Sequence, residues 1–302
     1  MPTARVGSYL LAYQHLPVAR TAGCLSDVLG IDVSTGWVAS LLPKAESLLN
    51  GFLADLRAHV VASPVIGNDE TGARIAGERY WFHDATTEAL TLVTCHQRRG
   101  HLGMEAAGVL PWYRGISVHD RYAQYWTFDC RHAACHAHLL RDLAAVAETR
   151  SQEPWAEAMA KLLCSAKDKA DAARGAGKTS LSPGRLRRIN KAYDAIVIQA
   201  IRANPDPWLL GREDRTKAER QSWNLALAFK ELKAEVLRFL RGPGGVVHEQ
   251  PRGAGLSDGE DPPVMYGSRL WPARGGSRAE WRFCLDRGCI IALLLQAVEK
   301  GE

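Results

Sequence analysis

Asp69 and Asp120 are the residues whose type and setting could do chemistry. Asp69 lies in Val65-Ile66-Gly67-Asn68-Asp69-Glu70-Thr71-Gly72, and Asp120 in Gly115-Ile116-Ser117-Val118-His119-Asp120. Each closes a short apolar run that reads as a buried strand, so two carboxylates can meet at the same end of one sheet. Hard oxygen donors on rigid strand ends suit Mg²⁺ or Mn²⁺. A pair of such ions is the usual apparatus for in-line attack on a phosphodiester. The first implication is nucleic-acid strand chemistry, with Asp69 and Asp120 as catalytic residues and metal ligands. A lone aspartate after an apolar run is usually a turn or capping residue, and it is the matching position of two that favours a site. Glu70 points to the opposite sheet face if the strand continues, which leaves Asp69 the better ligand.

Two further segments bear on chemistry. Cys130-Arg131-His132-Ala133-Ala134-Cys135-His136-Ala137-His138 concentrates five potential metal ligands, and thiolate with imidazole is the donor set zinc prefers. Paired ligand knuckles separated by a loop are absent, so the alternative is a small core residue at Cys135 and a polar residue near the site's rim at His138. The run Arg185-Leu186-Arg187-Arg188-Ile189-Asn190-Lys191 places Arg185, Arg187, Arg188 and Lys191 where they could track phosphates, although such a run is more often a solvated helix face.

The elements that must position these residues follow from periodicity. Residues 6–60 read as helices: Pro17 suits a helix start, Gly30 stops that helix, and Ser34 or Thr35 can cap a second through Trp37, Val38 and Leu41. Helix, short turn, helix is the outline of a DNA-reading unit, and equally of a plain helical hairpin packed on the core. A third helix with Leu48, Leu49, Phe52, Leu53 and Leu56 on one face leads into the first strand. Strands are expected at residues 65–68, 79–83 and 90–95, with Gly72 and Gly77 in the first turn. A helix at 101–107 then crosses to a fourth strand at 115–118, a short fifth follows Cys130, and a helix covers 138–148. Right-handed crossover puts the fourth strand beside the first in parallel, the plan of the ribonuclease-H-like fold, and brings Asp69 and Asp120 together. Helices resume at 155–173, 185–201 and 217–240. Beyond Arg241 the chain turns to Gly, Pro and Arg with little periodicity. Four regions result: an N-terminal helical region (1–62), an α/β catalytic core (63–150), a helical insertion (151–241) and an irregular tail (242–302).

Composition bounds the class. With 302 residues, 46% of them hydrophobic, the chain can bury a full core, and its net charge of +5 favours a polyanionic partner without requiring one. Seven cysteines without framework spacing and no apolar N-terminal signal segment imply a reducing cytosol, with a nucleoid association if DNA is the partner. The longest apolar stretch, Ile290 to Leu295, is far short of the roughly 20 residues a membrane helix needs, so no membrane role is expected.

At these residues the chain resembles the insertion-sequence-66 family of bacterial transposases. The likeness covers about residues 9–240 and rests on Asp69-Glu70-Thr71-Gly72, the stretch from Gly108-Val109-Leu110-Pro111 to His119-Asp120, and Cys130-Arg131-His132-Ala133-x-Cys135-x-Ala137-His138-Leu139-Leu140-Arg141. The resemblance implies a ribonuclease-H-like core, an Asp, Asp, Glu triad holding two Mg²⁺ or Mn²⁺ ions, and a helical insertion between the second and third acids. Asp69 and Asp120 match the first two acids. Cys135-x-x-His138 resembles an element that supports the site in related transposase groups. The implied reaction is metal-assisted water attack on a phosphodiester at the element end, then attack of the freed 3′ hydroxyl on target DNA, without a covalent protein intermediate. DNA ends, target DNA and further copies of the chain are the implied partners.

The sequence departs from the family where the third acid belongs. The box Asn-Asn-x-Ala-Glu-Arg-Asp-x-Arg-Met is absent between Arg241 and Glu302, and the family's N-terminal coiled-coil and cysteine-containing region is also missing, so the chain looks cut at both ends. Codons for Glu249-Gln250-Pro251-Arg252-Gly253-Ala254-Gly255, read one nucleotide later, permit Asn, Asn, a variable residue, Ala, Glu, Arg, Asp. Those for Ser257-Asp258-Gly259-Glu260 permit Arg, Met, Val, Lys. A frameshift between Gly242 and Val247 accounts for the order, with the catalytic Glu lost under Gly253 and Ala254. The tail is then not expected to pack, and Glu231, Glu235, Glu249 and Glu260 are weak stand-ins. The leading expectation is an impaired transposase. The alternatives are a non-catalytic DNA-binding or dimerising remnant that interferes with an intact transposase, and a ribonuclease-H-like structure-specific nuclease.

Overall fold

The computed structural model describes residues 2–75, 77–149, 152–206 and 216–241. The expected frameshift and the glutamates at 249 and 260 lie outside the described residues.

Three helices open the chain: α1 (Pro2–Ala12), α2 (Val18–Leu29) and α3 (Thr35–Ala62). Gly30 ends α2 in the left-handed conformation, φ +66°, its N–H directed at the Leu25 and Ser26 carbonyls. Ser34 caps α3, its Oγ accepting from the Trp37 N–H at 3.0 Å. The expected second and third helices are one 28-residue helix with Pro43 inside it. Proline removes one helical hydrogen bond and crowds the preceding turn. The helix survives because separate cores hold its two halves. Val38 and Leu41 pack with Leu11, Ala22 and Leu25 in a small N-terminal cluster, while Leu56 and Val60 lie against the sheet.

The sheet has five strands, β1 (Val65–Ile75), β2 (Glu78–Thr86), β3 (Thr91–His96), β4 (Ile116–His119) and β5 (Arg131–Ala134), in the order β3-β2-β1-β4-β5. β1, β2 and β3 form an antiparallel meander, whereas β4 lies parallel to β1 and β5 parallel to β4. The chain reaches β4 by way of α4 (His101–Ala106), the kind of crossover that a parallel strand needs. β1 runs seven residues beyond its expected end at Asn68, which places Asp69 inside the strand and not at its close. Gly72 is no turn residue: it pairs with Trp81 across the hairpin, and a Cβ there would stand 3.4 Å from the indole. The turn is made at Gly77, φ +87°.

Strand alternation sorts the side chains into two faces. Ile66, Ala85 and Leu92 face α3 and α4 and pack with Leu56, Val60, Met104, Val109, Leu110, Tyr113 and Tyr125. A Cβ on Gly103 would meet the Arg98 carbonyl at 2.0 Å and His83 Nε2 at 2.6 Å, so α4 can seat this closely only with glycine there. The opposite face carries a smaller cluster of Val65, Ile116, Val118 and Ala133 beside Cys135.

The larger apolar core belongs to the helices α5 (His136–Ala147), α6 (Glu153–Gly175), α7 (Pro183–Ala203), α8 (Lys217–Glu231) and α9 (Lys233–Val236). It contains Leu139, Leu143, Trp155, Met159, Leu163, Tyr193, Leu225 and Phe229. The helix expected over 217–240 breaks at Leu232, which has left helical geometry at φ −100°, ψ 26°. Thr216 and Glu219 form a reciprocal capping box at the start of α8. After α9 the chain returns to the sheet: the Val236 carbonyl lies 2.8 Å from His136 Nε2, and Arg238 Nε donates to the His132 carbonyl at 2.6 Å. No described helix is long and apolar enough to cross a membrane.

Candidate metal centre

The last rung joining β1 to β4 pairs Gly67 with Val118, so Asp69 and Asp120 stand two residues beyond the same rung. Residues two apart on a strand share a face. Asp69 lies on the side opposite Ile66, Asn68 and Glu70, and Asp120 follows the parity of Val118. The two are close enough for the charge of Asp120 to act on Asp69. Burial, chiefly, raises the Asp69 carboxyl above its usual range. His138 and the Glu70 N–H pull it back, and the Glu70 and Asp120 charges push it further up.

Each aspartate has a defined orientation. Asp69 Oδ1 accepts from the Glu70 N–H at 2.9 Å, and Oδ2 lies 4.0 Å from His138 Nε2. Asp120 Oδ1 accepts from the Tyr122 N–H at 2.8 Å, the local turn aspartate favours. The next residue, Arg121, donates to Asp142 Oδ2 on α5 at 2.7 Å, tying the segment to the helical layer. His119 is buried beneath: its Nδ1 meets the Asp120 carbonyl, and its Nε2 lies 3.0 Å from His132 Nδ1. Burial lowers the His119 pKa to about 4.

A third carboxylate, not singled out in the sequence, stands across from the first. Asp84 on β2 is the cross-strand partner of Asp69 and shares its face. Burial, then the Asp69 charge, pushes its pKa up to about 8. Ile75 pairs with Glu78, and counting back from that two-residue connection gives the 69–84 pairing, so the turn position was the signal that could have found it.

Glu70 turns the other way. Its side chain is 1% exposed, and Oε1 accepts from Arg99 Nε at 2.8 Å while the Tyr125 hydroxyl donates to Oε2. The Arg99 guanidinium lies over Tyr122 and Trp81, 4.3 Å and 5.0 Å from their ring centres. Tyr125 in turn stacks on His119, with ring centroids 4.5 Å apart.

The cysteine- and histidine-rich segment is divided by the fold. His132 faces His119, with Cys130 Sγ 3.9 Å from its Nε2. His136 enters the helical core. Cys135 and His138 come to the Asp69 side. Pairing with the Cys135 side chain raises the His138 pKa against the effect of burial, and the Asp69 charge adds to it. His138 Nδ1 is buried without a hydrogen-bond partner among the described residues. Arg185, Arg187, Arg188 and Lys191 are all exposed on α7, Arg187 and Lys191 opposite the buried Ile189, Tyr193 and Val197, and Arg185 one turn before Ile189 on its side.

Carboxylates at matching rungs are the donors a hard divalent cation takes, so Asp69 and Asp120 fit such an ion in kind. Among the described residues no group of three or more His, Cys, Asp or Glu side chains is gathered closely enough to enclose one.

The sequence model of the Transposase IS66 family matches residues 3–244. The chain belongs to that transposase family. A DNA partner and a divalent cation come with the family assignment, and the match stops within the interval, Gly242 to Val247, where the reading frame is expected to change. No curated protein matches the chain. A chain from the cryo-EM structure of the simian T-cell lymphotropic virus intasome in complex with PP2A regulatory subunit B56 gamma is similar over 92% of this chain and 86% of that chain, at 11% identity and a TM-score of 0.21. A likeness at that score carries no argument about the fold.

Proposed function

We propose that this transposase chain carries a ribonuclease-H-like core whose Asp69 and Asp120 are the first two acids of a metal-dependent DNA cleavage and strand-transfer centre, impaired by loss of the third. One observation carries the reading. Parallel pairing of β1 with β4 sets both carboxylates two residues past one rung on one face, where their charges interact. The strand order β3-β2-β1-β4-β5 with an antiparallel meander and two parallel strands supports the fold assignment. Mg²⁺ or Mn²⁺ bound there would supply Lewis-acid stabilisation of charge on the phosphate and activation of the attacking hydroxyl or water.

The chain's own residues orient and charge the site. Asp69 and Asp120 present carboxylate oxygens whose partners fix their rotamers, and His138, backed by Cys135, stands behind Asp69. Exposed Arg185, Arg187, Arg188 and Lys191 give α7 a basic face for DNA phosphates. A second reading, a DNA-binding remnant that no longer cuts, is favoured by one observation. The helical insertion brings the chain back to β5 at Arg238, and the family match ends six residues later, ahead of the stretch at Gly253 and Ala254 under which the third acid is expected to be lost. A nicking assay on element-end DNA with Mn²⁺ separates the two. Residual nicking abolished in Asp69→Ala and Asp120→Ala supports the impaired enzyme. DNA binding without nicking supports the remnant, and nicking unaffected by either substitution overturns the assignment. Joining of nicked ends to target DNA distinguishes a transposase from a structure-specific nuclease.

A further inference from the structure

The sheet does not itself hold Asp69 and Asp120 at their separation. β1 and β4 exchange hydrogen bonds only as far as Gly67 and Val118, and Asp120 follows the last residue of β4. Past that rung nothing in the ladder stops β1 and the 120–127 segment from splaying apart. A bridge on the reverse face spans the gap. Glu70, next to Asp69, is held through Oε2 by Tyr125 and through Oε1 by Arg99. Arg99 stacks on Tyr122, whose N–H holds Asp120 Oδ1, and Tyr125 stacks on His119, which precedes Asp120. One end of the bridge is therefore the residue next to Asp69, and the other reaches Asp120 through Tyr122 and His119.

We propose that Glu70, Tyr125 and Arg99 are positioning residues that set the distance between Asp69 and Asp120 from the far side of the sheet. The inference rests on the reading of those two acids as a site, but its geometry can be tested without a metal. A buried carboxylate satisfied by a guanidinium and a phenol is directional, since both donors must stay in place for the charge to stay compensated. Strand alternation then converts a fixed Glu70 into a fixed Asp69, because a tilt of β1 cannot move one without the other.

The test is a disulfide equilibrium in the full chain. Asp69→Cys and Asp120→Cys are combined in a Cys135→Ala background, and formation of the 69–120 bond in glutathione buffers is quantified by peptide mapping. Tyr125→Phe, which removes one hydroxyl and keeps the ring on His119, and Glu70→Gln are each added to it. The expected result is an effective concentration of the thiol pair lower by about tenfold in either variant, equivalent to one charge-assisted hydrogen bond. Tyr193→Phe, which cuts the 2.7 Å bond to the Phe229 carbonyl in the distant helical core, should lower stability and leave the equilibrium unmoved. An equilibrium unchanged by Tyr125→Phe, or shifted equally by Tyr193→Phe, overturns the inference. Mn²⁺ affinity measured on the chain with Asp69 and Asp120 intact is a separate readout. If the thiol equilibrium shifts but Mn²⁺ does not bind, the bridge stands and the reading of the acids as a cation site fails.

Discussion

Replacing Arg99 by alanine should destabilise the protein more than neutralising its partner does. Glu70 has 1% of its side chain exposed, so removing the guanidinium leaves a buried carboxylate with only the Tyr125 hydroxyl. A stranded buried charge costs roughly 3–5 kcal/mol. Arg99 is 41% exposed, so water can enter the vacated position, and the lower end of that range, about 3 kcal/mol, is the expected value. Loss of the stacking on Trp81 and Tyr122 contributes about 1 kcal/mol more. Glu70→Gln keeps one acceptor oxygen, for Arg99, turns an amide N–H to the Tyr125 hydroxyl, which can accept it, and removes the charge, for a cost of about 1–2 kcal/mol. The double variant Arg99→Ala/Glu70→Gln has no charge to strand, so its cost should fall short of the sum by about 1–2 kcal/mol. Urea unfolding followed by tryptophan emission supplies all three values, with the urea dependence checked for constancy. Equal costs for the two single variants, strictly additive in the double, would mean that Glu70 is hydrated, and the bridge would have no energetic basis.

Acid should loosen the helical layer through His136. Burial lowers its pKa below the ordinary 6.5, so its contribution is complete above 6.5 and is lost as pH falls through 6.5 towards the folded value. The melting temperature should therefore drop between pH 7 and pH 5, and His136→Gln should flatten part of that slope. Gly103→Ala forces a Cβ to within 2.0 Å of the Arg98 carbonyl, so α4 must lift off β2. Overpacking of this kind costs about 1–3 kcal/mol or more, read as a lower urea midpoint. Changing Arg185, Arg187, Arg188 and Lys191 together to alanine should weaken DNA binding uniformly across sequences. It should also flatten the dependence of log K on log salt by up to about four times 0.9; an unchanged slope would assign the basic arc to solvent.

What could be read in the sequence was the part written locally. Apolar runs ending at Asp69 and Asp120 announced β1 and β4, and the crossover rule placed them side by side. Gly30 and Ser34 marked helix ends because their chemistry acts within a few residues. The errors came where long-range packing decides. Gly72 resembled a turn until Trp81 stood over it, and the helix starting at Ser34 and the one carrying Leu56 resembled two elements until separate cores at its two halves joined them as α3. Asp84 depended on hairpin register, and the Glu70 bridge joins residues 29 and 55 positions apart, for which periodicity carries no signal. The ligand-rich segment from Cys130 to His138 was sorted by strand parity and the entry into α5. That sorting sends His132 to one face and Cys135 with His138 to the other.

Calorimetric titration of the full chain with Mn²⁺ tests the central claim most directly, that Asp69 and Asp120 grip one cation. The account predicts saturable binding that weakens by at least about tenfold in Asp69→Ala and in Asp120→Ala, while Asp194→Ala on α7 binds as the parent does. Binding indifferent to both site substitutions, or no binding by the parent, would contradict it.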